Sequence, residues 1–202
     1  MKLKTSLAAV AALLFVVGCN TTPKSGAVTS QLRNDSQSTI TKMESQDPGI
    51  RDLLEKSYGY IIFPSIGKGG LIVGGAYGRG VVYQKGNPIG TAKLEQGSIG
   101  AQLGGATFSE AVIFETAEAL DKFRAGKFEF GADAQAVIVK SGAAGATSFR
   151  NGVAVLQMPE GGAFAGVALT GQKIKYISDE DRTTYTETRT EEVRPTTRPS
   201  ME

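Results

Sequence analysis

The stretch Gly67–Gly80, GKGGLIVGGAYGRG, decides the fold of this chain. Half of the 26 glycines lie between Gly67 and Gly105. From Leu71 to Tyr83 the odd positions are mostly large and the even positions mostly tiny, which is the period of two that a β-strand produces. Glycine weakens the interior of a strand unless something must approach closely. We therefore predict a strongly curved antiparallel sheet whose small-residue face lies near another backbone layer.

Two other structures that glycine-rich segments form do not fit this stretch. A phosphate-binding loop with the pattern GxxxxGKS or GxxxxGKT is absent, and no GxGxxG motif lies at a strand-to-helix turn with a downstream acid. A glycine-faced transmembrane helix needs about 20 apolar residues. Here Lys68 and Arg79 leave only ten residues between them. The stretch is therefore predicted to be a strand.

The residues before this stretch predict helices. Apolar residues recur near a helical period over residues 28–43 and again over residues 50–58. The second run follows Asp47-Pro48, a pair that suits a helix cap and a first turn. The polar faces carry charges of both signs, whereas a helix lying on a membrane would have a basic polar face. We expect these helices to pack on their own domain.

The remaining segments alternate in type. We expect a short strand over 59–63 that Pro64-Ser65 ends, a hairpin turn over 85–88 and a returning strand over 89–96. A helix with Thr116 as its cap is expected over 115–126, and a loop over 142–145. Further strand-like runs cover 97–109, 127–139, 153–158, 163–170 and 174–177. The predicted fold class is α+β, a curved, glycine-rich antiparallel β-sheet or barrel-like core with a few packed helices.

The N-terminus has the pattern of a secretory signal peptide over residues 1–18. Two lysines precede eleven uncharged residues, Leu7–Val17, a run too short for the about 20 residues that span a bilayer. Val16-Val17-Gly18-Cys19 resembles the lipobox of bacterial lipoproteins, although Val16 stands where leucine is usual. The resemblance implies that Cys19 is lipidated and becomes the mature N-terminus. Asn20, where many inner-membrane lipoproteins carry aspartate, then implies the periplasmic face of the outer membrane.

Cys19 is the only cysteine of the chain. A lone exported cysteine has no partner within its own chain, which favours the acyl anchor. The alternative is a soluble exported protein with a stray thiol. Without residues 1–18 the chain has 20 basic and 20 acidic residues, so no global basic excess indicates nucleic acid.

The ends of the mature chain differ in composition from its middle. Residues 19–27 form a lipidated N-terminus and a short tether, and residues 28–178 form the folded domain. Residues 179–202 are rich in threonine and acids and hold few large apolar side chains. Such a segment buries too little to offset the entropy of ordering it. We expect a disordered tail, with an interaction tail as the alternative.

The sequence offers no catalytic, metal or cofactor site. It contains no histidine, which removes the common nucleophile–histidine arrangements and imidazole zinc ligands. The best carboxylate pair, Glu129 and Asp133, would lie about 13 Å apart along a strand. Paired-carboxylate glycosidases use about 5–9.5 Å. We therefore expect a protein that is not an enzyme.

Several blocks of this chain together resemble the SYLF domain, in order over residues 28–178. They are YGYIIFPS, GLIVGGAYGRG and GSIGAQLGG, followed by LDKFR, FGADA and the 166–171 region. That resemblance implies a domain that binds phospholipids, phosphoinositides among them, rather than a catalyst. Some members also bind actin.

Two functions follow as hypotheses. In the first, the outer-membrane-anchored domain binds phospholipid head groups through basic residues, namely Lys68, Arg79, Lys85 and Lys173. Lys68 and Lys85 would lie in loops at the two ends of the long strand, and Arg79 on its large-residue face. A solvated surface is the alternative for each cation alone. In the second hypothesis, the domain is a structural lipoprotein that binds another envelope protein.

Overall fold

The computed structural model describes residues 25–70, 73–99, 105–127, 136–162 and 172–178. The predicted signal peptide, Cys19 and most of the predicted tether lie outside these residues, as does the predicted tail. The predicted strand over 163–170, most of the GSIGAQLGG block and the Glu129–Asp133 pair also lie outside them.

The described residues form four helices and seven strands, which confirms the α+β prediction. In chain order they are α1 Ser25–Gln46, α2 Gly49–Lys56, β1 Gly59–Gly70, β2 Val73–Gln84, β3 Asn87–Ile99, β4 Ala106–Phe114, α3 Ala117–Arg124, β5 Ala136–Ile138, α4 Ala143–Ala146, β6 Val153–Gly162 and β7 Gln172–Ser178.

All seven strands belong to one sheet in the order β5-β6-β4-β1-β2-β3-β7. Every neighbouring pair is antiparallel except β5 and β6, which run parallel. The predicted antiparallel sheet is therefore mixed at one edge, because β5 reaches β6 through a connection that contains α4. Within the part of the sheet that the structure describes, β5 and β7 are the edge strands.

The sheet separates two hydrophobic cores. On the inner face, α3 packs its buried Leu120 and Phe123 against apolar side chains of β1, β4 and β6. On the outer face, α1 and α2 pack Met43 and Ile50 against β1 and β2. The early helices therefore pack on their own domain, as predicted.

A contact across the inner face shows how strongly the sheet curls. Gln172 Nε2 of β7 donates a hydrogen bond to Glu110 Oε2 of β4 at 3.3 Å. In the strand order β4 and β7 lie four places apart, which in a flat sheet would be about 19 Å. The sheet therefore folds back on itself, in agreement with the predicted curved or barrel-like core.

Two of the tight glycines, Gly78 and Gly80, lie on the inner face of β2. A Cβ at Gly80 would lie 2.6 Å from the carbonyl oxygen of Ile62, and one at Gly78 would lie 2.6 Å from Cγ1 of Ile66. Those atoms belong to the neighbouring strand β1, not to a separate backbone layer as predicted. Both glycines lie beside the register shift of β1 between Ile62 and Ile66.

Two local predictions were wrong. Pro64 does not end the first strand, because the same register shift accommodates it and β1 continues to Gly70. The GAAG segment is not a loop but the short helix α4, tied to the rest of the fold where Asp47 Oδ2 accepts a hydrogen bond from the Ala144 amide at 2.7 Å.

The two predicted helix caps, Thr116 and Asp47, agree with the structure in part. Thr116 accepts a hydrogen bond from the Ala119 amide at 3.3 Å and caps α3. Asp47 accepts one from the Gly49 amide at 3.1 Å, although Pro48 takes the cap position itself.

Candidate functional site

The helices cover only part of the outer face of the sheet. Val81 and Tyr83 of β2 are buried under α1, but two positions further along the same face Arg79 is exposed. Beyond it Tyr77 is 50% exposed, the one large hydrophobic side chain so exposed among the described residues. The basic face is the outer surface of β2, β3 and β7 that the described helices do not cover.

The strand register assembles the basic face from three strands. Arg79 of β2 lies opposite Lys93 of β3, which lies opposite Lys175 of β7. In the neighbouring row, Tyr77 lies opposite Glu95, which lies opposite Lys173. Side chains of register partners share a face and are spaced about 4.8 Å apart. Four cations and one carboxylate therefore lie in an array about 10 Å wide.

The charges of the basic face act on one another. Lys93 Nζ forms an ion pair with Glu95 Oε1, and this contact raises the pKa of Lys93. The pKa of Glu95 is lowered, first by Lys93 and then by Lys175 and Lys173. One carboxylate is shared among several cations, so the face has a net charge of +3 in fixed positions. Such a surface attracts anions.

Tyr77 gives the basic face an apolar element. Lys93 Nζ lies 5.6 Å from the centroid of the Tyr77 ring, within the range of a cation–π contact. Tyrosine rings with a polar end are enriched at the level of membrane head groups and at protein interfaces. An exposed ring among cations therefore suits either kind of binding.

The structure brings together two of the four predicted lipid-binding residues. Arg79 and Lys173 lie on the basic face. Lys68 is half-buried and lies within β1, not in a loop, on the inner side of the sheet with Ile66. Lys85 lies in the turn that follows β2, at the end of that strand remote from Lys68. Its Nζ lies 5.5 Å from the ring centroid of Tyr58.

The Lys85 turn borders a cavity of about 530 Å³ between α1, α2 and the start of β1. Its walls hold three cations and three carboxylates. Two of these, Arg51 and Glu44, form an ion pair of 2.9 Å. Balanced charges do not select an anion, so this cavity is a weaker candidate than the basic face. The lining residues with charge are Glu44, Arg51, Glu55, Lys56, Lys85 and Glu115.

Tyr77, Lys93 and Lys175 were missed from the sequence. Lys175 could have been found, because it shares strand parity with Lys173. Lys93 could not, because a register shift between Val82 and Tyr83 places it opposite Arg79. Without that shift, the two-residue turn between β2 and β3 would place Arg79 opposite Ala92, and the side chain of Lys93 would lie on the inner face.

Other kinds of site are not formed by the described residues. Within them, no group of three potential metal-ligating side chains comes together. In the same part of the chain, no helix combines the length and apolar character that crossing a bilayer requires.

The fold of the described residues defines the class of the protein as an α+β domain. A model of the family described as Las17-binding protein actin regulator (Ysc84) matches residues 95–195, which is half of the chain. The chain belongs to this family, the SYLF family that the sequence blocks indicated. It is in general a family of binding domains rather than of enzymes, and membership indicates lipid or protein binding.

A similar curated protein is beta cell expansion factor A of Aeromonas veronii. The two sequences are 26% identical over 149 residues, which is 73% of this chain and 56% of that protein. The chain thus spans little more than half the length of this relative.

Proposed function

We propose that the protein is a lipid-anchored outer-membrane protein whose basic face binds the anionic head groups of phospholipids. The observation that carries the proposal is the array of Arg79, Lys93, Lys173 and Lys175 around the exposed Tyr77 ring. The strands fix the backbone positions of these residues, so binding does not have to order a flexible loop.

The magnitude of the attraction follows from the number of cations. Each basic residue near an anionic membrane contributes about 1 kcal/mol, and salt screens this within a Debye length. Reversing three of them therefore weakens membrane binding by at least about 3 kcal/mol, which is roughly a hundredfold in affinity. Raised salt should mimic the loss.

The test uses a form that begins at Asn20, so that no acyl chain contributes. Binding to phosphatidylcholine vesicles with and without phosphatidylglycerol is measured for the parent and for a triple variant, Arg79→Glu, Lys173→Glu and Lys175→Glu. The parent should bind the anionic vesicles, and the triple variant should not, with an unchanged circular dichroism spectrum.

A matched control separates the basic face from net charge. Lys42, Lys127 and Lys140 are exposed and lie away from that face, and their reversal to glutamate changes the net charge equally. This control variant should bind almost as the parent does. Equal loss in both variants, or normal binding by the face variant, would contradict a specific basic face.

The second candidate function is the binding of another envelope protein. The family description, which names a binding protein and actin regulator, favours it. An exposed tyrosine beside an arginine is also typical of protein interfaces. If the parent protein does not bind anionic vesicles at low salt, the binding of another envelope protein is favoured over lipid binding.

The membrane anchor is proposed from the sequence alone. One acyl chain of myristoyl length binds a membrane only marginally, whereas several anchor it stably. A Cys19→Ser protein should therefore move from the membrane fraction to the soluble periplasmic fraction. Retention of the serine variant in the membrane fraction would refute Cys19 as the main anchor.

A further inference from the structure

Glu110 is an ionisable side chain in the middle of the inner core. It lies on β4 between Phe108 and Val112, and its exposed fraction is 0%. A charged carboxylate at such a depth is costly unless it is paired with a cation. None of its hydrogen-bond partners among the described residues is a cation.

Two amide groups contact one oxygen of this carboxyl group. Gln157 Nε2 of the adjacent strand β6 donates to Glu110 Oε2 at 2.8 Å, and Gln172 Nε2 of β7 donates to the same oxygen at 3.3 Å. The second bond crosses the inside of the curled sheet. Among the described strands, β7 pairs with β3 alone, and this bond joins it to β4 in the middle of the sheet.

The other two oxygens of the Glu110–Gln172 pair are buried. Among the described residues, neither Glu110 Oε1 nor Gln172 Oε1 makes a hydrogen bond. Both are acceptors when the carboxyl group is ionised, so they cannot bond to each other. A proton on Glu110 Oε1 turns it into a donor and allows a reciprocal acid–amide pair with two hydrogen bonds.

The surroundings of Glu110 favour this neutral form. Burial raises the pKa of Glu110 to about 7, against the opposing effect of the two glutamine amides. Lys68 shares the inner face, but it lies at the register position of Ala106, about 13 Å along β4. β7 adds Tyr176, whose hydroxyl donates to the Ile89 carbonyl oxygen at 2.7 Å. The charged side chains of α3 are exposed, namely Glu118, Asp121, Lys122 and Arg124.

We propose that Glu110 is a protonation latch that holds the edge strand β7 against the inside of the sheet. As a neutral acid it bonds reciprocally to Gln172. When its proton passes to solvent, the buried carboxylate is hydrated at least cost by release of the Gln172 end of β7. The Tyr176 end remains held by its hydrogen bond to Ile89 and by its ring contact with Phe123. The latch does not depend on the proposed lipid binding.

The test is hydrogen exchange of the backbone amides of the full chain between pH 5 and pH 7, corrected for intrinsic exchange. Opening that exposes Glu110 should become about tenfold more frequent per pH unit in this range, because the open form loses a proton that the closed form keeps. Amides of Gln172–Lys175 should be less protected than those of β1 at every pH, and should lose protection with this slope.

Glu110→Gln is the matched variant, since an amide keeps the shape and can pair with Gln172 at any pH. In this variant the protection of β7 should no longer depend on pH. Equal protection of β7 and β1 in the wild type would overturn the latch, because Glu110 would then be exposed only by global unfolding. An unchanged pH slope in the variant would overturn it as well.

A measurement on the wild type alone covers the case in which Glu110→Gln does not fold. At pH 6 the exposed carboxyl groups are ionised, so the infrared band of a protonated carboxyl group should come from Glu110 and disappear by about pH 8. Absence of this band at pH 6 would overturn the proposal.

Discussion

Replacing Gly80 with alanine should destabilise the domain. The added Cβ would lie 2.6 Å from the backbone oxygen of Ile62 and 2.8 Å from Cδ1 of Phe63, which is fully buried. Neither atom is the free end of a flexible side chain, so β1 and β2 must move apart. Overpacking of this kind costs about 1–3 kcal/mol, offset by about 0.4–1 kcal/mol from the stiffer unfolded chain.

The net loss is about 2.6 kcal/mol at most, which would lower the thermal midpoint of a domain of this size by up to roughly 5–10 °C. Thermal and urea unfolding followed by circular dichroism measure it. Gly97 of β3 is the matched control, because a Cβ there meets no atom within 4 Å. Gly97→Ala should be neutral or slightly stabilising. If the two variants unfold at the same temperature, the close approach of β1 and β2 at Gly80 is not what requires glycine.

Four further predictions concern stability. Asp47→Ala should lower the free energy of unfolding in urea by about 1–3 kcal/mol, because the Gly49 and Ala144 amides lose their acceptor. An unchanged midpoint would show that water replaces the carboxylate. Phe123→Ala should cost about 3–5 kcal/mol, since its ring is fully buried and stacks on Phe114 at 5.3 Å; a loss below about 1 kcal/mol would show that α3 does not close the inner core. The pKa of Glu110 is raised, so the contribution of this side chain to the free energy of unfolding should be complete below about pH 4.5 and lost as pH rises to about 7. Relative to Glu110→Gln, the free energy of unfolding of the wild type should fall by about 3 kcal/mol over that range. Parallel pH–stability curves of the two proteins would contradict the raised pKa. Truncation after residue 178 should leave the thermal midpoint within about two degrees, because the removed segment has little apolar surface, and a large drop would show that the tail packs on the domain.

The glycine-rich strand and the helices could be predicted because their signals are local. The alternation of large and tiny residues defined β2, and the helical spacing over 50–58 defined α2. The error at Pro64 has a local cause too. Proline usually ends a strand, but a register shift lets it remain within one, and nothing in its neighbours marks that shift.

The basic face could be predicted only in part because it depends on register. Arg79 follows from strand parity alone, but its neighbours on other strands depend on one irregularity near Tyr83 and on β7 pairing with β3. A β7 pairing between residues some 80 apart leaves no local trace in the sequence.

Glu110 was overlooked, although the sequence carried a signal for it. It is the single charge in the run FSEAVIF and shares parity with Phe108, Val112 and Phe114. A charge at such a position is either a misassigned strand or a buried carboxyl group. Its contact with Gln172 could not be foreseen, because it depends on how far the sheet curls.

The strand order also sets when the basic face comes into existence. Arg79 and Lys93 come together as soon as the β2–β3 hairpin forms, and with Glu95 beside them this part of the basic face has a net charge of only +1. Lys173 and Lys175 arrive on the last described strand, which must close a loop of some 80 residues to reach β3. Long-range pairings of this kind form late in folding. An unfinished chain therefore lacks most of the net charge of the basic face, and the full array of cations is a property of the completed molecule alone.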